Sequence, residues 1–294
     1  MRILPSFLAL ALLAGCKSGR EIMEPQRAAR CLAAVREAHA AGQWSRACRC
    51  AKPLMKAHPR TQGAEEALLL AADAEEKRGR PTAAYRDYEA LVREHPASDR
   101  IREVSRREFD LASARHAEGR RRLKGHFMQL GPAVREVLES SARHDPYASH
   151  AAYALLLAAT CEYDDRRYEE AGAILDRLLQ DNPRSDWVIQ AQFLRAMASY
   201  RSFHGAPYDP VPLKDAEERF RSYLADHPDA EDAPAARRML VLIGDHWAEH
   251  GVITGRLYRR LGKEEAAALS FRESMEGFPD SPWAEVARGE AGAR

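Results

Sequence analysis

Five segments of this chain end alike, and that likeness limits its folding more than any other feature. AKPLMKAHP to Pro59, YEALVREHP to Pro96, LDRLLQDNP to Pro183, FRSYLADHP to Pro228 and FRESMEGFP to Pro279 read as five copies of one helix ending. Twelve residues before each proline stands an alanine: Ala47, Ala84, Ala171, Ala216 or Ala267. Eight before stands Ala51, Tyr88, Leu175, Phe220 or Phe271. A weaker sixth copy ends at Pro146, with Val134 and Leu138 in those two places. A small residue early in a helix lets a partner helix approach, and a usually larger apolar residue one turn later fills the gap. Proline then stops the helix because it has no N–H to donate.

Successive prolines lie 37 to 51 residues apart, close to the tetratricopeptide unit of about 34 residues with insertions. Gly42-Gln43-Trp44, Gly79-Arg80-Pro81 and Gly262-Lys263 supply the corner before the alanine. Ala72, Ala159 and Ala196 occupy the tight-packing position of the preceding helix in three units. Aromatic residues make up only 7% of the chain while Ala, Leu, Glu and Arg dominate, which favours helix over strand. The fold class expected is all-α, a tetratricopeptide-type superhelix of about five to six helix pairs. The pairs fall near 26–59, 63–96, 133–146 (partial), 150–183, 187–228 and 233–279, with a capping segment from Pro282. Residues 97–132 fit least well. There Ile101 to Leu123 is a basic helix broken by Gly125-His126-Phe127-Met128-Gln129-Leu130-Gly131-Pro132, which divides 26–124 from 125–294. Ala171 is expected in a tight helix contact and its neighbour Gly172 facing solvent.

Arg2 and the apolar stretch from Ile3 to Ala14 read as a signal peptide (1–15), too short to span about 30 Å of hydrocarbon. Leu13-Ala14-Gly15-Cys16 resembles the lipobox of bacterial lipoproteins, which implies acylation of Cys16 and a lipidated linker over 16–25. Acyl chains hold firmly when there are several, since each buried CH₂ contributes about 0.8 kcal/mol. By the same resemblance Lys17, where an Asp favours the inner membrane, implies the periplasmic face of the outer membrane.

The formal charge is +1, from Lys+Arg 45 and Asp+Glu 44, so nothing favours a nucleic-acid partner. The run Arg120-Arg121-Arg122-Leu123-Lys124 reads as a solvated helix face, or as a surface for an acidic partner or anionic lipid. Cys31, Cys48, Cys50 and Cys161 read as buried small residues rather than a disulfide or metal framework. His246 and His250 are four apart, but His-Trp-Ala-Glu-His is not a metalloprotease motif and no third ligand is evident. His58, His95 and His227 stand just before repeat prolines, where they serve helix ends. No Gly-rich phosphate loop and no Gly-x-Ser-x-Gly occurs. A binding protein is expected, with no catalytic residue, metal or cofactor.

From about residue 133 the chain resembles the BamD family of outer-membrane lipoproteins that help assemble β-barrel proteins. Asp145-Pro146-Tyr147-Ala148-Ser149 opens a repeat, Tyr208-Asp209-Pro210 leads into Ala216 and Phe220, and Ala248-Glu249-His250 precedes Tyr258 and Gly262 at the family's spacing. It departs at Gly251 and Gly255, where that family usually has Glu and Ala. The resemblance implies an adaptor that binds unfolded outer-membrane protein clients and a β-barrel assembly protein with other machine subunits. It also places the partner contacts around His250 and Tyr258. The repeat register itself puts Tyr153, Leu156, Tyr163, Phe193, Met197, Tyr200 and Arg201 on the concave face, as candidate anchors for a client peptide. A scaffold for cell-envelope or division complexes would use the same repeats.

Overall fold

The computed structural model describes residues 24–122 and 132–292. Among these residues there are thirteen helices and no strand: α1 (Pro25–Ala40), α2 (Trp44–Ala57), α3 (Gln62–Lys77), α4 (Pro81–Glu94), α5 (Ile101–Arg122), α6 (Pro132–His144), α7 (Ala151–Asp164), α8 (Tyr168–Asp181), α9 (Val188–Ser202), α10 (Val211–Asp226), α11 (Ala233–Arg260), α12 (Glu264–Gly277) and α13 (Pro282–Gly292). None of the described helices is long and apolar enough to cross a membrane. The segment 1–23, with the signal peptide and Cys16, and the break at 123–131 lie outside the described residues, as do the side chains of the run at 120–124.

The repeated residues do what their spacing requires. Ala47, Ala84, Ala171, Ala216 and Ala267 are all buried, as are Ala51, Tyr88, Leu175, Phe220 and Phe271. Ala72, Ala159 and Ala196 are fully buried on the facing helices. The residues ahead of the prolines share one conformation: His58, His95, Asn182, His227 and Phe278 have φ between −138° and −129° and ψ between 52° and 61°. A following proline excludes the helical region for its predecessor, so each copy stops at the same residue. Five residues before the alanine, Gly42, Gly79 and Gly262 take φ of 66°, 69° and 69°, and in α7–α8 that place is held by Arg166 at φ 63°. The hairpin therefore keeps its left-handed corner even where the sequence lacks the glycine that favours it.

The chain forms two compact units, residues 1–98 and 99–294. The first contains α1–α4. Its core is built from Val35, Ala51, Leu54, Ala64, Ala67 and Ala71. The second contains α5–α13, so α5 belongs with the helices that follow it, and the division falls after Ser98 rather than near residue 124.

Helices α5 and α6 form a complete helix pair, not the partial one expected at 133–146. Its close contact is made by serines: Ser105 Oγ donates to the Ser141 carbonyl (2.9 Å), and Ser141 Oγ returns a bond to the Ser105 carbonyl (2.8 Å). Both are buried. A small hydroxyl that satisfies itself on the facing backbone allows the approach that alanine allows elsewhere.

Gly172 is also not where the sequence suggests. It is buried beneath Arg195, whose guanidinium carbon would stand 3.2 Å from an added Cβ. Arg195 lies there because it bridges Asp176 (3.0 Å) on α8 and Asp215 (3.3 Å) on α10.

Helix α11 has 28 residues, about twice the length of its neighbours. Ala236 and Ile243 in its first half join a core with Ala196, Leu213, Phe220 and Tyr223, while Val252 joins another with Ala267, Phe271 and Ala287. The second contact explains the two departures from the family pattern. A Cβ at position 251 would collide with Ser274 Oγ, and one at 255 would stand 2.6 Å from the Phe271 ring. Glycine at both positions is what lets α12 lie so close.

Candidate functional site

The ends of α7 and α9 and the middle of α11 bring polar aromatic side chains together in the second unit. Tyr163, in the last turn of α7, sets its ring edge-on against Tyr168 of α8, with centroids 5.2 Å apart. Its hydroxyl accepts a bond from Arg201 Nε on α9 (3.4 Å). One residue earlier, Tyr200 places its hydroxyl 3.2 Å from His246 Nε2 on α11. Partial burial raises the Tyr200 phenol above its ordinary value. Phe203, at the C-cap of α9, closes edge-on over the same imidazole at 5.2 Å. The result is two groups of half-buried rings carried by consecutive residues of α9, with an exposed guanidinium beside Tyr163. Such rings offer rigid apolar area at small entropic cost, and the arginine fork can take a carboxylate.

One turn further along α11, His250 Nδ1 donates to the Ala206 carbonyl at 2.8 Å. Ala206 belongs to the insertion between α9 and α10, which ends with Asp209 Oδ1 accepting the Val211 N–H (2.9 Å) at the start of α10. Trp247 sets its ring edge-on to His250 and donates Nε1 to Glu217 on α10 (2.8 Å). Beneath these lies a cavity of about 320 Å³, bounded by Glu217, Trp247, His250, Glu273 and Phe278. The Tyr208-Asp209-Pro210 insertion and the Ala248-Glu249-His250 block, far apart in sequence, are thus joined by one hydrogen bond.

The expected groove residues divide in two. Tyr163, Tyr200 and Arg201 belong to these two groups. Tyr153 stands apart, stacked at 4.4 Å on Trp187 and 6.0 Å from Phe109. Leu156 is only 8% exposed and belongs to the core. Phe193 packs against Phe220 (5.9 Å) and Tyr223 (5.6 Å), and Met197 against the same cluster. The reason is geometric: a first helix is covered on both flanks by its neighbours, so most of its apolar positions are consumed in stacking. Tyr258, expected at a partner surface, packs half-buried on the cluster of Val252, Ala267, Phe271 and Ala287. Trp187, Phe203 and Trp247 escape the sequence reading. The first two sit at helix ends, outside the repeat register, and Trp247 lies inside a motif dominated by its histidines.

His246 and His250 do not converge on one point: His246 faces Tyr200 and Glu249 (3.5 Å), and His250 faces a backbone carbonyl. Cys48 and Cys161 are buried, and Cys161 lies 3.3 Å from His116 Nδ1 with burial pushing its thiol up to about 12. A thiol held protonated is inert.

Residues 118–288 match the family model described as outer membrane lipoprotein, YfiO. The chain belongs to this family, YfiO/BamD. The outer membrane protein assembly factor BamD of Rickettsia prowazekii is 25% identical over 127 residues, covering 43% of this chain and 48% of that protein. The BamD of Caulobacter vibrioides is 24% identical over 134 residues, covering 46% and 44%. The chain thus spans about half the length of the curated relatives it matches. Residues 66–98, in the first unit, match a tetratricopeptide repeat model. Among solved structures, PilW, a type IV pilus biogenesis factor, is covered over 100% of its length and 90% of this chain, at 16% identity and a TM-score of 0.29. The family-model match takes in all the residues from Tyr163 to His250.

Proposed function

We propose that this chain is a lipid-anchored adaptor on the periplasmic face of the outer membrane. In this reading it binds unfolded β-barrel clients and the machine that assembles them, and it carries out no chemistry of its own. The observation that carries the reading is the junction of His250 with Ala206: it lies within the family match and ties the loop of the Tyr208-Asp209-Pro210 insertion to the Ala248-Glu249-His250 block, two of the three stretches that resemble that family. The rings of Tyr163 and Tyr200, with Arg201, support client binding, because aromatic and arginine side chains supply most of the energy at such surfaces. The lipobox ending at Cys16 supports the anchor.

Crosslinking in cells followed by affinity purification from detergent-solubilised envelopes tests the proposal. The expected result is recovery of a large barrel protein with periplasmic domains, together with unassembled barrel chains. Recovery of division or cell-wall proteins without any barrel component would favour the generic scaffold instead.

A further inference from the structure

The first helix pair concentrates charge that the chain as a whole balances. Residues 25–57 hold seven basic side chains against one acidic, Glu37, in a sequence whose formal charge is +1. Four of these arginines follow one pattern used twice. Arg27, Arg30 and Cys31 on α1 recur in spacing as Arg46, Arg49 and Cys50 on α2. Positions three and four apart share a helix face, so each helix presents a stripe with two guanidiniums. The stripes face each other across a groove of about 740 Å³ that contains no carboxylate among its lining residues and has Ala34 and Pro53 in its middle.

Because the two helices run antiparallel, their arginine pairs lie toward opposite ends. By helix rise, Arg30 and Arg49 are separated by about 8 Å along the axis. All four arginines are exposed. The bonds they make are local and neutral, Arg30 Nε to the Gln26 carbonyl (3.3 Å) and Arg46 Nη1 to Gln43 Oε1 (3.0 Å). None forms an ion pair with a described residue, whereas Arg36 on the other side of α1 is paired with Glu66 (2.5 Å). Guanidiniums gathered without counter-charge around a concave surface create a positive potential and present a fork that matches phosphate oxygens.

The site's position selects among anions. Resting on the lipid anchoring proposed above, the eight residues between Cys16 and Pro25 allow a reach of at most about 30 Å. That tether holds the groove at high effective concentration against the leaflet surface. We propose that the α1–α2 groove binds phosphodiester head groups of anionic lipids in the anchoring leaflet, one at each arginine pair. The apolar middle of the groove accommodates the glycerol side of the lipid between them.

Co-sedimentation with vesicles tests this, using the mature chain from residue 16 produced without the signal segment and therefore unacylated. Vesicles of phosphatidylcholine with about one third phosphatidylglycerol should retain the protein at least tenfold better than phosphatidylcholine alone, with binding falling steeply as salt is raised. Arg30→Gln with Arg49→Gln should remove at least nine tenths of that binding at unchanged helical content. Lys214→Gln with Arg221→Gln, which removes the same charge from α10, should remove little. Inorganic phosphate at millimolar concentration should compete only weakly, since a free ion lacks the effective concentration of a leaflet that presents head groups to both arginine pairs at once. Equal losses in the two double variants would show diffuse attraction and overturn the groove. So would absence of binding to anionic vesicles, or full displacement by an acidic peptide at matched charge, which would assign the groove to a protein partner. Palmitate labelling at Cys16 reports on the anchor separately, so either idea can fail without the other.

Discussion

The Phe271 ring lies against Gly255 with no room for one more carbon, since a Cβ there would stand 2.6 Å from the ring edge. Both are buried in the contact between α11 and α12. Gly255→Ala should therefore cost about 1–3 kcal/mol despite the better helix propensity of alanine, because overpacking outweighs it. Phe271→Leu in the same chain should recover part of the loss. Denaturant unfolding of the single and double variants measures this, and strict additivity would show that the two positions do not meet.

Ala171→Leu and Ala216→Leu should each cost about 1–3 kcal/mol by the same overpacking. Gly172→Ala is a different case, for its new methyl meets only the flexible end of Arg195 at 3.2 Å. It should lower the melting temperature less than either leucine. A larger loss at Gly172 would mean that the Asp176–Arg195–Asp215 bridge carries more of the fold than the alanine contacts do.

Changing Tyr163 and Tyr200 to Ala removes one ring from each group together with the hydroxyls that meet Arg201 and His246. Capture of unfolded barrel-protein peptides should weaken by about 2 kcal/mol, the scale of aromatic hot spots. Fluorescence anisotropy with a labelled peptide reads the affinity, and circular dichroism confirms retained helix. Unchanged affinity would remove these rings from the client site.

In the first unit, burial and then the neighbouring Glu75 carboxylate push Asp87 up to about 6, against the opposing pull of Arg86 and Lys52. The folded chain thus holds this proton more tightly than the unfolded chain does. Below about pH 3 both states are protonated and the position costs nothing, whereas above about pH 6 folding buries a carboxylate. Asp87→Asn should stabilise the chain at pH 7.5 by about 1–3 kcal/mol, and the gain should shrink toward zero as the pH falls to about 3. An equal gain at both pH values would point to packing rather than charge.

Cys16→Ser should abolish incorporation of labelled palmitate and leave the protein unacylated. A variant that still takes up the label would refute the lipobox reading.

The periodic skeleton was legible because it rests on a physical necessity that leaves a mark: a buried small residue at a fixed distance from a helix-ending proline. Ala47 through Ala267 carry that mark. Ser105 and Ser141 achieve the same approach by hydrogen bonding, so the α5–α6 pair was hidden from a search for alanine. Arg166 likewise conceals a corner that glycine announces elsewhere. The candidate site was half legible. Tyr163, Tyr200 and Arg201 follow from helix register, while Leu156 and Phe193 share that register and are consumed by packing on the flanks. The bond from His250 ends on a backbone carbonyl, which no residue type advertises.

The length of α11 has a mechanical consequence. At about 42 Å it is one beam resting on two supports, the Phe220 cluster at one end and the Phe271 cluster at the other. His246 and His250 lie on the span between them. A beam held so closely at Gly251 and Gly255 cannot tilt at one support without loading the other. On the proposed reading, a client at the Tyr200 end and a partner around His250 and Tyr258 would therefore sense each other through this one helix, and by thermodynamic reciprocity each would alter the other's hold to the same degree.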